Sequence, residues 1–150
     1  MKKFLLGLAA ASMTLCTPVF AKYQANQLVG QWSCKVDHTD ELMTAKVRAN
    51  MDFRDDGTKQ NNEVGQVYLF GIGGAYHSIL TEAWQIEDDY LVTTVTDIIK
   101  LETAEELEPI MNRELIEAEP NLRLQITELD AQTLKLLEPE MQLHYDCTRL

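Results

Sequence analysis

Residues 43–54 read Met-Thr-Ala-Lys-Val-Arg-Ala-Asn-Met-Asp-Phe-Arg, and their pattern decides the fold class. Met43, Ala45, Val47, Ala49, Met51 and Phe53 alternate with Thr44, Lys46, Arg48, Asn50, Asp52 and Arg54. Side chains along a strand point to opposite faces in turn, so this alternation makes one apolar and one wet face; on a helix it would scatter around the axis. Asp55-Asp56-Gly57 follows as a hairpin turn, because Gly accepts positive φ. Working outward, the same signals predict strands over 31–37, 64–70, 76–87, 90–101, 122–129, 133–138 and 141–148. Gly71-Ile72-Gly73-Gly74, Asp88-Asp89, Leu129-Asp130-Ala131-Gln132 and Pro139 punctuate them. The glycines at 71, 73 and 74 are read as a bend at a rim. No helix follows them, so they do not form a phosphate loop.

Between the fifth and sixth strands the period changes. Thr103-Ala104-Glu105-Glu106 fits a capping box, and Leu107, Ile110, Met111, Leu115 and Ala118 fall on one helical face. Pro109 is awkward inside such a helix and can instead open a shorter one as its first residue. The stretch from Glu102 to Glu119 holds seven Glu and one Arg. It reads as an acidic, solvated helix packed on one barrel opening, with Leu107, Ile110, Met111 and Leu115 facing inward.

Residues 1–21 have the form of a secretory signal peptide: Lys2 and Lys3, an apolar run from Phe4, and Val19-Phe20-Ala21 before the expected cleavage site. The run is too short to span a membrane. Leu15 directly before Cys16 does not resemble a lipoprotein signal. The sequence therefore predicts a periplasmic or secreted domain over 22–150, cleaved after Ala21. Losing Lys2 and Lys3 lowers the net charge from −11 to −13. That surplus opposes nucleic acid and anionic membranes as partners, since both require Lys and Arg.

Cys34 and Cys147 remain in the exported chain, and in an oxidising compartment a lone pair reads as one disulfide. Cys34 shares its strand phase with Trp32 and Val36; Cys147 shares its own with Met141, Leu143 and Tyr145. Antiparallel pairing at the cysteines sets Trp32 against Arg149 and Val36 against Tyr145. Contact between the first and last strands means closure. The expected fold is thus an all-β, closed eight-stranded antiparallel up-and-down barrel with one acidic helix between strands five and six.

Leu28-Val29-Gly30-Gln31-Trp32 resembles the Gly-x-Trp signature that opens the first strand of lipocalins and related calycin barrels. In that family an Arg near the end of the last strand packs across the Trp, the position that the register gives to Arg149. Phe53-Arg54-Asp55-Asp56-Gly57-Thr58 and Trp84-Gln85-Ile86 also resemble bacterial lipocalin-like export proteins. The family's Thr-Asp-Tyr motif is absent; Thr96-Asp97-Ile98 lies within a strand. The resemblance implies small-molecule binding, with Trp32 and Arg149 as structural closure.

Candidate chemistry is sparse. His38, His77 and His144 show no metal-site spacing, and no nucleophile–base pair stands out, so neither a metal, a cofactor nor an enzyme is expected. Glu82 shares its phase with Leu80, Trp84 and Ile86. Inside the barrel it needs a partner or marks a ligand site; a bulge near Ala83 would instead turn it outward. Trp32, Tyr68, Tyr76, Trp84 and Tyr145 are candidates for the interior, with Met43, Met51, Phe53 and Met141 as filling. Tyr68, Tyr76, Glu82 and Trp84 form the expected ligand site. Two functions follow: an exported barrel binding a small apolar or amphipathic molecule, or an acidic envelope module or inhibitor binding a basic protein such as a lysozyme or protease. A continuous apolar cavity of about 300 Å³ favours the first, and a filled barrel the second.

Overall fold

The computed structural model describes residues 22–150; the expected signal peptide and its cleavage site lie outside the described residues. A four-residue helix α1 (Ala25–Leu28) precedes β1 (Gly30–Thr39), β2 (Met43–Phe53), β3 (Thr58–Leu69), β4 (Ile72–Glu87) and β5 (Tyr90–Thr103). A 3₁₀ turn (Glu105–Leu107) and a short helix α2 (Arg113–Ala118) lead to β6 (Asn121–Leu129), β7 (Thr133–Glu138) and β8 (Leu143–Arg149). Each strand pairs with its sequence neighbours and β8 returns to β1, closing an eight-stranded antiparallel barrel. Aspartates hold the turns, as their short side chains favour. Asp40 accepts the Leu42 and Met43 amides at 2.8 and 2.7 Å, and Asp130 accepts those of Gln132 and Thr133 at 2.8 and 2.7 Å.

The closing ladder pairs Trp32 with Arg149, Ser33 with Thr148, Cys34 with Cys147 and Lys35 with Asp146, and the two cysteines are bridged. The register follows from the Cys34–Cys147 bridge, formed between strands whose cysteines share the apolar phase. It stops at Lys35–Asp146, so the Val36–Tyr145 pair is not part of it.

Three sequence expectations need correction. β3 begins at Thr58 and β4 at Ile72, so the hairpin between them is far longer than 64–70 and 76–87 suggested. The turn is made by Phe70 and Gly71, at φ 52° and 78°. Gly73 and Gly74 lie within β4 and are needed for close approach: a Cβ on Gly73 would sit 1.9 Å from the Val67 carbonyl oxygen, and one on Gly74 would sit 2.6 Å from the Ala104 Cβ. The expected helix between β5 and β6 is present as α2, but it is shorter and starts later than the spacing suggests. Thr103 ends β5 instead of capping, Pro109 opens no helix, and Asn112 caps α2 by accepting the Leu115 amide at 2.9 Å. Leu107 is buried and Met111 half-buried, but Ile110 and Leu115 are exposed, because a break at 108–112 splits the expected apolar stripe. Met141, expected inside, is exposed in the β7–β8 turn.

Two apolar clusters fill the barrel. One, around Trp32, Phe53, Trp84, Leu91, Leu124 and Leu136, lies toward α1 and makes a solid closed end. The other groups Val36, Met43, Val47, Tyr76 and Leu143 around Leu107, which the 3₁₀ turn inserts into the opposite end as a plug. β5 pairs with β6 only over Tyr90–Thr94. Beyond that point the missing neighbour is replaced piecemeal: the Val95 amide donates to the Pro120 carbonyl at 2.9 Å, and the Arg113 guanidinium donates to the Ile98 carbonyl at 3.0 Å.

Candidate functional site

Residues directly opposite in an antiparallel pair share a face. Phe53 faces Lys59, Met51 faces Asn61 and Ala49 faces Glu63 across β2–β3, so the inward phase of β2 drags three polar side chains of β3 into the barrel. Across β3–β4, Lys59 faces Glu82 and Glu63 faces Ser78. Glu82 therefore points inward, with no bulge at Ala83; the register shifts fall at Ile79/Leu80 and Thr81/Glu82 in the pairing with β5.

The cost of this burial is met by pairing. The Lys59 ammonium lies 2.5 Å from Glu82 Oε2, with Lys59 2% and Glu82 4% exposed. Lys59 also lies 5.5 Å from the Phe53 ring centroid, and the Thr93 hydroxyl donates to Glu82 Oε1 at 3.4 Å. Toward the plugged end, the Tyr76 hydroxyl donates to Glu63 Oε1 and the Asn61 amide donates to Glu63 Oε2 at 3.3 Å. The other Asn61 atom, Oδ1, is buried without a hydrogen-bond partner in a residue only 8% exposed. An orphaned acceptor of this kind costs about 1–3 kcal/mol unless something donates to it.

The field around these groups is negative. Burial raises the Glu63 pKa, and the bonds from Tyr76 and Asn61 and the charge on Lys59 only partly offset it. Tyr145 is pushed up by burial and by the charges of Glu63, Glu138 and Glu82; Tyr76 is pushed up by burial and by Glu63. Glu63 is crowded by protein atoms, yet Glu63, Leu80 and Tyr145, all in the inward phase, keep partial exposure. The inward residues at the closed end, such as Trp32, Leu91 and Leu134, have none. The barrel is thus neither uniformly filled nor an empty apolar cup. It is solid at the α1 end; in the other half the second apolar cluster stands beside the polar side chains, and Glu63, Leu80 and Tyr145 keep partial exposure.

The expected ligand set is only partly assembled. Tyr76 and Glu82 meet the polar cluster. Tyr68 does not: it falls in the outward phase of β3 and is 37% exposed, because β3 keeps strict alternation and Val67 takes the inward place. Trp84 belongs to the closed-end core, where its ring packs edge-on against Phe53 at 5.2 Å and its N–H donates to the Thr58 carbonyl at 2.9 Å. Its edge also lines an outer groove of about 660 Å³ between α1 and the β2–β3 turn. The stretch 59–63 is polar throughout, so the sequence carries no signal that turns Lys59, Asn61 and Glu63 inward; their pairing with β2 does.

Trp32 and Arg149 meet as expected. The guanidinium lies 4.1 Å from the indole ring centroid, and its nitrogens donate to the carbonyls of Ala131, Val29 and Gln27 at 2.8, 2.7 and 2.6 Å. The indole N–H donates to the Leu28 carbonyl at 2.8 Å. Gly30, at φ 126°, leaves space for the guanidinium: a Cβ there would lie 2.6 Å from Arg149 Nη1.

His38 bonds Asp40 at 2.9 Å, His77 bonds Asn62 at 3.1 Å and His144 is exposed. Among the described residues no three His, Cys, Asp or Glu side chains come together as a metal site, and no helix is long and apolar enough to cross a membrane. No protein-family model matches the chain, and comparison with the curated proteins finds no relative.

Proposed function

We propose that this chain is an exported, non-enzymatic, lipocalin-like barrel that binds an amphipathic small molecule in the half of the barrel away from Trp32. The observation behind this reading is the polar cluster at Lys59, Asn61, Glu63, Tyr76 and Glu82, with the Asn61 carbonyl oxygen left unpartnered. An interior ion pair does little for stability, since apolar replacements of similar volume are usually as stable or more so. Its presence beside an orphaned acceptor fits a site held ready for a ligand. The Gly30-x-Trp32 opening with Arg149 across the indole supports the lipocalin-like assignment. The signal-peptide pattern and the Cys34–Cys147 bridge support export.

A second reading, an acidic module or inhibitor for a basic protein, draws on a different observation. Leu42, Phe70 and Ile72 are exposed in adjoining turns at the plugged end, where the Phe70 amide bonds the Leu42 carbonyl at 2.8 Å. The same end carries the acidic 102–119 connection. Native mass spectrometry of the protein purified from its own cell envelope separates the two. A retained small-molecule mass supports the first reading. A stoichiometric protein partner with no small molecule overturns it in favour of the second.

A further inference from the structure

Resting on the small-molecule reading, we infer that the ligand's polar end is a protonated amine, seated against Glu63 and the free Asn61 carbonyl oxygen. Inside the plugged half two inward carboxylates, Glu63 and Glu82, lie beside one buried cation. Lys59 is the interior cation among the described residues, and Glu82 occupies it at 2.5 Å. Glu63 faces no cation of its own; it takes neutral donors, from Tyr76 and Asn61. Asn61 spends its amide on Glu63 and leaves Oδ1 buried and unbonded. A carboxylate and an amide oxygen on the same strand face, two residues apart, ask for a group with several N–H donors and a positive charge, and an ammonium has both.

Other ligand classes fit worse. A carboxylate or phosphate head group would meet Glu63 and Glu82 with no free cation to receive it, and like charges at short range in a desolvated site repel strongly. An alcohol would satisfy Asn61 Oδ1 but leave Glu63 without a counter-charge. A metal ion would find too few ligands. The approach is also biased. The connection that plugs this end carries seven Glu and one Arg from Glu102 to Glu119, and a mouth lined by one sign of charge concentrates the opposite ion. Leu80, Leu101 and Tyr145, inward and half-buried, offer the apolar wall for the rest of the molecule.

The test compares three probes that share one chain and differ at the head: dodecylamine, dodecanol and dodecanoate, each kept monomeric and titrated by calorimetry at about pH 8, where an alkylamine, like Lys, is protonated. Dodecylamine is expected to bind one to one and at least about tenfold more tightly than dodecanol, with dodecanoate weakest. Glu63→Gln should lower dodecylamine affinity about tenfold or more and leave dodecanol unchanged, which also shows that the variant is folded. Asp55→Asn, in the exposed β2–β3 turn at the α1 end, should leave dodecylamine affinity within about twofold of the parent protein. Binding of the amine should weaken toward acid as Glu63 takes up its proton. Dodecanol or dodecanoate binding as well as the amine would overturn the amine assignment and leave the small-molecule reading standing. Amine binding indifferent to Glu63→Gln would overturn it too, as attraction to the acidic surface. If no probe binds, the small-molecule reading falls together with the inference.

Discussion

Removing the Arg149 guanidinium tests the closed end directly. Its carbon lies 4.1 Å from the Trp32 ring centroid, and three carbonyls accept from it. A cation–π contact of this partly desolvated kind contributes about 1–2 kcal/mol. The bond to Val29 is partly buried and those to Ala131 and Gln27 are exposed, so the three together add about 1–2 kcal/mol once water takes over the exposed pair. Arg149→Ala is therefore expected to cost about 2–4 kcal/mol. Arg149→Lys recovers less than half of this, because an ammonium cannot serve three diverging carbonyls while lying flat on the indole. Trp32→Ala costs about 3–5 kcal/mol, since the ring is fully buried and leaves a cavity. The substitutions share one contact, so their effects fall short of adding by about 1–2 kcal/mol. Urea denaturation of the oxidised protein measures all four corners of the cycle. A coupling energy within error of zero, or an Arg149→Lys variant as stable as the parent, would refute the reasoning.

Lys59→Met is expected to cost about 3–5 kcal/mol because it strands Glu82, whereas Lys59→Met with Glu82→Leu returns close to the parent stability; thermal melts of the single and double variants check this. Leu107→Ala should lose about 2–4 kcal/mol and Ile110→Ala less than about 0.5 kcal/mol, since the first is the buried plug and the second is exposed; equal losses in denaturation would restore the continuous helix. Free-thiol labelling of the denatured, unreduced protein should find Cys34 and Cys147 unreactive, and reduction should lower stability by about 4–5 kcal/mol for a loop this long. Glu63 has a folded pKa raised above the ordinary 4.5. Its contribution is thus fully present below that value and is lost as pH rises through the folded pKa, and Glu63→Gln should flatten the fall in stability with rising pH over that window. An unchanged pH profile would mean that Glu63 ionises as freely as in the unfolded chain.

What was legible in the sequence was whatever depended on one strand at a time. The alternation over 43–54 gives β2 its faces without reference to any neighbour, and a Cys34–Cys147 bridge between strands of matching phase is enough to fix the closing register. The polar inward face of β3 was not legible, because Lys59, Asn61 and Glu63 alternate with Gln60 and Asn62, leaving no hydropathy contrast to mark a strand. Only the pairing with Phe53, Met51 and Ala49 reveals which side they face. Tyr68 differs for a related reason: an aromatic residue type suggests an inward place, and the phase set by Val67 and Leu69 sends it outward. The helix in the acidic connection is shorter than its apolar spacing suggests, because Glu108-Pro109-Ile110 interrupts the chain between the 3₁₀ turn and α2.

The seam between β1 and β8 also bears on how the barrel is reached. Seven of its eight strand contacts join consecutive strands and can form as each hairpin arrives. The eighth joins Cys34 to Cys147, separated by 113 residues, and cannot begin until the last strand is present. Contacts of such long sequence separation delay folding. Until then the chain is an open, curling sheet whose first and last strands both present unpaired edges. A chain threaded across a membrane from its N-terminus would hold that vulnerable form until the final residues emerge. The disulfide is then the last lock to form, and an oxidant that acted earlier would find Cys34 with no partner in reach.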